Sequence, residues 1–288
     1  MDFANALVQG ILSGGLYALL AAGLSLMFGV MRIVNLAHGD LAILASYLAL
    51  VFVMTTPLPV WVIVVIAVPL FAVIGYFAQR LLFQRSMKAG VLATILVTFG
   101  LSIVIQNVLL QVFSADSQTI NVGSLSTAAW HINAHISISY LSLITLGLAL
   151  ASIIGIQLYL SRNKTGRMMR AASDDPQIAA VVGGNAKHIY GVATAIAFGT
   201  VALAGLMMAM RSSFNPSLGP THLIFAFEAV VIGGLGSLWG TLLGGIALGL
   251  AQTLTAFIDP SLSVLAGHVL FLAVLALRPQ GIIPRRAV

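Results

Sequence analysis

Two carboxylates stand inside long apolar stretches of this chain: Asp40, the only formal charge between Ile33 and Gln79, and Glu228, within the run 222–237. An ionisable side chain at bilayer depth is costly enough to mark a pathway for ions or substrate. The competing reading puts each at a segment end. Asp40 follows Gly39 near a helix start, and Glu228 is a turn or two inside its run, where a carboxylate caps free N–H groups or reaches headgroups. Asn35 and His38 join Asp40 in one polar turn. His131 and His135 are four apart, but they lie in a polar loop with no carboxylate beside them, so no metal site is read there. Cysteine is absent, and no Ser-His-Asp or Cys-His constellation can be assembled. Lys88, Lys164 and Lys187 follow Met87, Asn163 and Ala186, never glycine, so no G-x-x-x-x-G-K-[ST] phosphate loop exists. The chain is expected to be neither an enzyme nor a cofactor binder. If ATP powers its work, another subunit must hydrolyse it.

The elements that hold these groups follow from composition. Of 288 residues, 60% are hydrophobic and 7% charged, against about 25% charged in ordinary soluble domains. No charge interrupts 89–115 or 117–161, and each stretch exceeds the ~20 residues a spanning helix needs. The expected fold is all-α: one transmembrane domain over 1–288, a polytopic membrane bundle of about eight or nine segments. Candidate crossings fall at 4–30, 36–54, 60–79, 90–113, 137–160, 189–210, 222–237, 240–257 and 261–277. The short run at 222–237 and the stretch 31–40, broken by Arg32, Asn35, His38 and Asp40, are candidates for broken or re-entrant helices. Irregular backbone at membrane depth requires protein or water to satisfy it, so both are pathway candidates. The start, Met1-Asp2-Phe3, is acidic and leads into an apolar stretch too long for a signal-peptide core, so no cleaved signal is expected.

The net charge of +6 has a topological explanation that needs no nucleic-acid partner. Eleven of the 13 basic residues fall in three clusters: Arg80, Arg85 and Lys88; Arg162, Lys164, Arg167, Arg170 and Lys187; Arg278, Arg285 and Arg286. The linker 114–136 has none. Positive charge marks the cytoplasmic side, which places the N-terminus outside, the 114–136 loop outside and the C-terminus in the cytoplasm. Arg211 is then the only basic residue outside, and Trp61 and Trp130 fall near external helix ends. The 28 glycines are patterned, with Gly10 and Gly14, Gly236, Gly240 and Gly244, and Gly245 and Gly249 at intervals of four. That spacing lets helices approach closely, either within one subunit or between two.

The most charged segment on the cytoplasmic side is 162–188. Asp175 suits an N-cap, Pro176 the first helical position, and Gly183 or Gly184 a left-handed end, giving a short helix over 176–182. Such a helix is either a docking element for a partner or an amphipathic connector on the membrane surface.

Four blocks carry a resemblance that spans nearly the whole chain. They are Gly14 to Ala49, with N-x-A-H-G at Asn35 to Gly39; Arg170 to Asn185; Glu228 to Leu250; and Arg278-Pro-Gln-Gly281. The sequence resembles the LivH-type permeases of branched-chain amino-acid ABC importers. The resemblance implies a multi-pass protein of a bacterial or archaeal cytoplasmic membrane that moves branched-chain or other hydrophobic amino acids inward by alternating access. It implies partners too: a second homologous permease, two cytoplasmic ATP-binding-cassette ATPases, and a periplasmic or extracellular substrate-binding protein. Residues 170–184 become the coupling element, with Arg170, Ala171, Ala172, Asp175, Ala179, Ala180, Gly183 and Gly184 facing the ATPase. Asn35, His38, Asp40, Glu228, Gly233, Gly234 and Gly236 become pathway candidates. Permeases for urea or short amides are the neighbouring alternative. A self-contained channel or secondary transporter is the alternative of a different class, against which the scarcity of membrane carboxylates counts.

Overall fold

Helices form wherever the apolar residues run unbroken, because a backbone without water must satisfy its own hydrogen bonds. The computed structural model describes residues 3–133, 136–175 and 184–283. The first helix, α1 (Phe3–Met31), is apolar all round, and its partners explain why. It packs against α10 (Leu238–Ile258), α8 (Ala186–Arg211), α6 (Tyr140–Arg162) and α9 (Gly219–Gly233). Of the nine candidate spans among the described residues, those of α1 and α8 are 72% and 78% buried within the chain and form its centre. The helix from Val60, α5 (Val91–Phe113) and α11 (Ser263–Leu277) are only 28%, 22% and 6% buried, so their apolar side chains face outward. A bundle with an apolar exterior is a membrane bundle.

Small residues set the closest crossing. A β-carbon on Gly14 would stand 2.5 Å from Ile246 Cα, and one on Gly249 would stand 2.4 Å from the Gly10 carbonyl oxygen. The glycine pairs at intervals of four therefore join α1 to α10 inside one chain. Gly240 and Gly244 do the same between α10 and α9, meeting the carbonyl oxygens of Gly233 and Ala229 at 2.2 and 2.1 Å.

Three places depart from the expected segments. The helix α3 (Val60–Ala78) does not stop near Gln79; it passes through a π-helical turn, Gln79–Phe83, into α4 (Gln84–Ala89), so the first basic cluster is carried on helix. Gly90, at φ 109, then reverses the chain into α5. The linker 114–136 is more ordered than a polar loop. It pairs Gln118 with Phe214, donates from Ile120 N to Ala209 O at 3.0 Å, and forms an antiparallel hairpin of β1 (Ala129–Asn133) and β2 (Ile136–Ser139). Gln9 pins that hairpin to α1 by donating to Ser137 O at 2.7 Å. The run 222–237 is displaced: its helix is α9, ending at Gly233, and 234–237 is a turn.

A further helix, α7 (Lys164–Asp174), occupies the region read as loop. Asn163 caps it by accepting from Thr165 N at 3.4 Å, and Gly166 lets it fold tightly back on α6, where a β-carbon would meet the Tyr159 carbonyl oxygen at 2.1 Å. The helix expected over 176–182 lies outside the described residues.

Candidate functional site

The polar turn at 32–40 returns the chain into the interior of the bundle. Arg32, at φ 54, ends α1, and six residues later α2 (His38–Thr55) begins with His38 donating from Nε2 to the Leu20 carbonyl at 2.8 Å. Leu20 lies eleven residues before Met31, about 16 Å along the axis at 1.5 Å per residue. The helix α2 therefore starts deep inside, as a broken helix does. Asn35 shapes the turn: its Oδ1 accepts from Ala37 N and its carbonyl from His38 N, both at 3.1 Å.

A second helix start meets the first there. A β-carbon on Gly39 would lie 1.9 Å from the Gly219 carbonyl oxygen, and one on Gly219 would lie 1.9 Å from Asp40 Oδ1. The first turns of α2 and α9 thus converge on the buried Asp40 carboxylate, the end of each helix dipole that favours negative charge. Ser102 of α5 donates to Asp40 Oδ2 at 2.6 Å, and Gln106 Nε2 donates to Ser102 Oγ at 3.1 Å. Asp40 therefore ties α2, α5 and α9 together at mid-depth.

Glu228 belongs to a different cluster. It is buried on α9, and its Oε1 pairs with His268 Nδ1 of α11. Tyr17 of α1 packs on Phe225 with ring centroids 5.3 Å apart and donates to Gln252 Oε1 of α10 at 2.5 Å. Phe225 also stacks on His268 at 6.5 Å. Around this aromatic centre Arg211 Nη1, His222 Nδ1, Glu228 Oε2 and Gln252 Nε2 are buried without a hydrogen-bond partner among the described residues. Sequence reading singled out Glu228 but missed Tyr17, His222, Gln252 and His268. The signal was present, in polar residues recurring inside apolar runs, but it is spread over four helices.

Gly233, Gly234 and Gly236 lie elsewhere, at the end of the bundle that carries the basic clusters. Gly234 and Gly236 adopt φ 113 and 80, and Ser237 Oγ caps α10 by accepting from Gly240 N at 3.1 Å. The carbonyls of Ile232 and Gly233 accept from Ile282 N and Ile283 N at 2.9 and 3.0 Å. The segment after Arg278 thus folds under the glycine turn and satisfies the end of α9. Between this turn, α1, α6 and α7 lies a cavity of about 250 Å³, lined by Ser25, Gly29, Gln157, Arg170, Gly236 and Trp239 among others.

Of the residues expected to couple, Arg170 and Ala171 are exposed on α7, whereas Ala172 is buried. Ala172 therefore turns toward its own bundle, while Ala171 of the expected small-residue face lies on the surface. Ser173 anchors the same side of α7 by donating to the Gly29 carbonyl at 2.6 Å. Asp175 ends α7, and Gly184 precedes the Asn185 cap of α8; Ala179, Ala180 and Gly183 lie outside the described residues.

Residues 6–276 match the family model described as the permease component of the branched-chain amino acid transport system. The chain is 29% identical to the high-affinity branched-chain amino acid transport system permease protein BraD of Pseudomonas aeruginosa, over 97% of this chain and 95% of that one. It is 24% identical to the Escherichia coli K12 permease protein LivH, over 98% and 96%. A solved structure, PsaBC from Streptococcus pneumoniae in complex with Fab, aligns over 96% of this chain and 92% of that one, with a TM-score of 0.49 and 18% identity.

Proposed function

Because the chain belongs to the family of branched-chain amino acid transport permease components, we propose that it is the membrane-spanning subunit of an ATP-binding-cassette importer for branched-chain or other hydrophobic amino acids. The observation that carries this reading is end-to-end similarity: the match runs from residue 6 to residue 276 and the bacterial relatives are covered almost completely. The partners are two ATPase subunits, a second permease and a binding protein outside. The basic end of the bundle faces the cytoplasm, in keeping with the positive-inside rule.

In this reading α7 receives the ATPase stroke. Support comes from its position, with Arg170 exposed and Ser173 bonded to the end of α1 beside the 234–237 turn. A push on α7 then moves α1 and the α9–α10 turn together, and the two helix starts joined at Asp40 open or close the route. The test is reconstitution with the partner subunits and labelled leucine. The expected result is ATP-dependent uptake with the ATPases co-purifying, and loss of uptake with hydrolysis retained in Arg170→Glu. Uptake driven by an ion gradient without ATPase subunits would overturn the proposal.

A further inference from the structure

The basic residues at one end of the bundle are not evenly spread. Arg80, Arg85, Lys88 and Lys187 line a single cleft of about 410 Å³, together with Gln84. No carboxylate lines it, and among the described residues none of the four cations makes an ion pair. Four like charges around one void repel one another unless an anion sits between them.

The cleft is built rigidly. The π-turn rotates Arg80 over the Tyr76 ring, 5.2 Å from its centroid, and Tyr76 OH shares a 3.0 Å hydrogen bond with His188 Nδ1 on α8. Gln79, fully buried, accepts from Thr194 Oγ1 at 2.8 Å and locks the turn to α8. Lys187 stands in the first turn of α8, where free N–H groups add to the positive field. Gln84 Oε1 is buried and accepts from no described donor. Beside the cleft Leu81, Leu82, Val91 and Leu92 are 59%, 43%, 69% and 70% exposed, on the helices whose apolar faces turn outward.

We propose that this cleft binds the headgroup of an anionic phospholipid with a hydroxylated headgroup, phosphatidylglycerol in chemistry, from the leaflet at the bundle's basic end. The phosphate lies among the four cations, a headgroup hydroxyl donates to Gln84 Oε1, and the acyl chains run along Leu81, Leu82, Val91 and Leu92. Charge selects the anion, and the apolar rim selects a lipid over free phosphate. The inference stands apart from the transport reading, since it concerns binding alone.

The test is native mass spectrometry of the delipidated full-length protein titrated with phosphatidylglycerol or phosphatidylcholine. Phosphatidylglycerol is expected to bind at least tenfold more tightly. Each of Arg80→Gln, Arg85→Gln, Lys88→Gln and Lys187→Gln should weaken it about fivefold, while Arg80→Lys with Arg85→Lys, which keeps the charge and serves as the folding control, should retain it. Gln84→Leu should weaken the binding of phosphatidylglycerol and leave that of phosphatidylcholine unchanged. Equal binding of the two titrated lipids would overturn the proposal. So would an equal loss in the control Arg162→Gln/Arg167→Gln, displacement by millimolar inorganic phosphate, or displacement by the ATPase subunits.

Discussion

Asp40 shows how one residue can be both a structural joint and a candidate for the route. Its carboxylate faces the starts of two helices and accepts from Ser102 at 2.6 Å, so removing it strands a buried hydroxyl and leaves two helix ends without their anion. Stranding a buried polar group costs about 1–3 kcal/mol. Asp40→Ala should therefore lower the thermal midpoint in detergent clearly, and Asp40→Asn, which keeps an acceptor for Ser102, should lower it less. Equal losses would remove the Ser102 bond as the reason. Asp40 was conspicuous in the sequence because a lone charge in 47 residues is conspicuous. Its partners were not, since nothing in the spacing of Ser102, Gln106 or Gly219 says that α5 and α9 converge on α2.

Helices were legible from apolar length, and their contacts only where glycine recurs every fourth residue. At Gly14 and Gly249 the neighbouring backbone lies 2.5 and 2.4 Å from an added β-carbon, whereas at Gly147 and Gly155 on α6 nothing stands within 4 Å. Gly14→Leu and Gly249→Leu are thus expected to abolish monodisperse expression, and Gly147→Ala and Gly155→Ala to leave it unchanged; size-exclusion profiles of the four variants check this. The helix α7 escaped sequence reading because its charges suggested loop, although Asn163 as a cap and the inward Met169 and Ala172 were there to be seen. The π-turn at 79–83 and the hairpin at 129–139 escaped because both depend on tertiary packing. Between α10 and α11, Asp259 accepts from the Ser261 hydroxyl at 2.7 Å and from its N–H at 2.9 Å, which holds the exposed carboxyl below its usual range. A depressed folded value means the contribution is present above the ordinary aspartate pKa and fades as pH falls through the folded one. Carboxyl titration by NMR should place Asp259 lower in wild type than in Ser261→Ala.

For the whole molecule the governing pattern is asymmetry. One end carries the basic clusters, the Gly234–Ser237 turn and α7; the other carries the hairpin, Trp61 and Trp130. Between them two helices begin at mid-depth and meet at Asp40. At the basic end α7 is joined to α1 by the bond from Ser173 to the Gly29 carbonyl. The proposed direction of the bundle in the membrane rests on charge, and the absence of cysteine makes it directly measurable. Single cysteines at Ser124, beside the hairpin, and at Arg167, on α7, should react oppositely with an impermeant maleimide in intact cells. Ser124→Cys should label from outside at once, and Arg167→Cys only after the membrane is opened. The reverse pattern would turn the transporter over, placing α7 where no ATPase could reach it, and the proposed coupling would fall with the orientation.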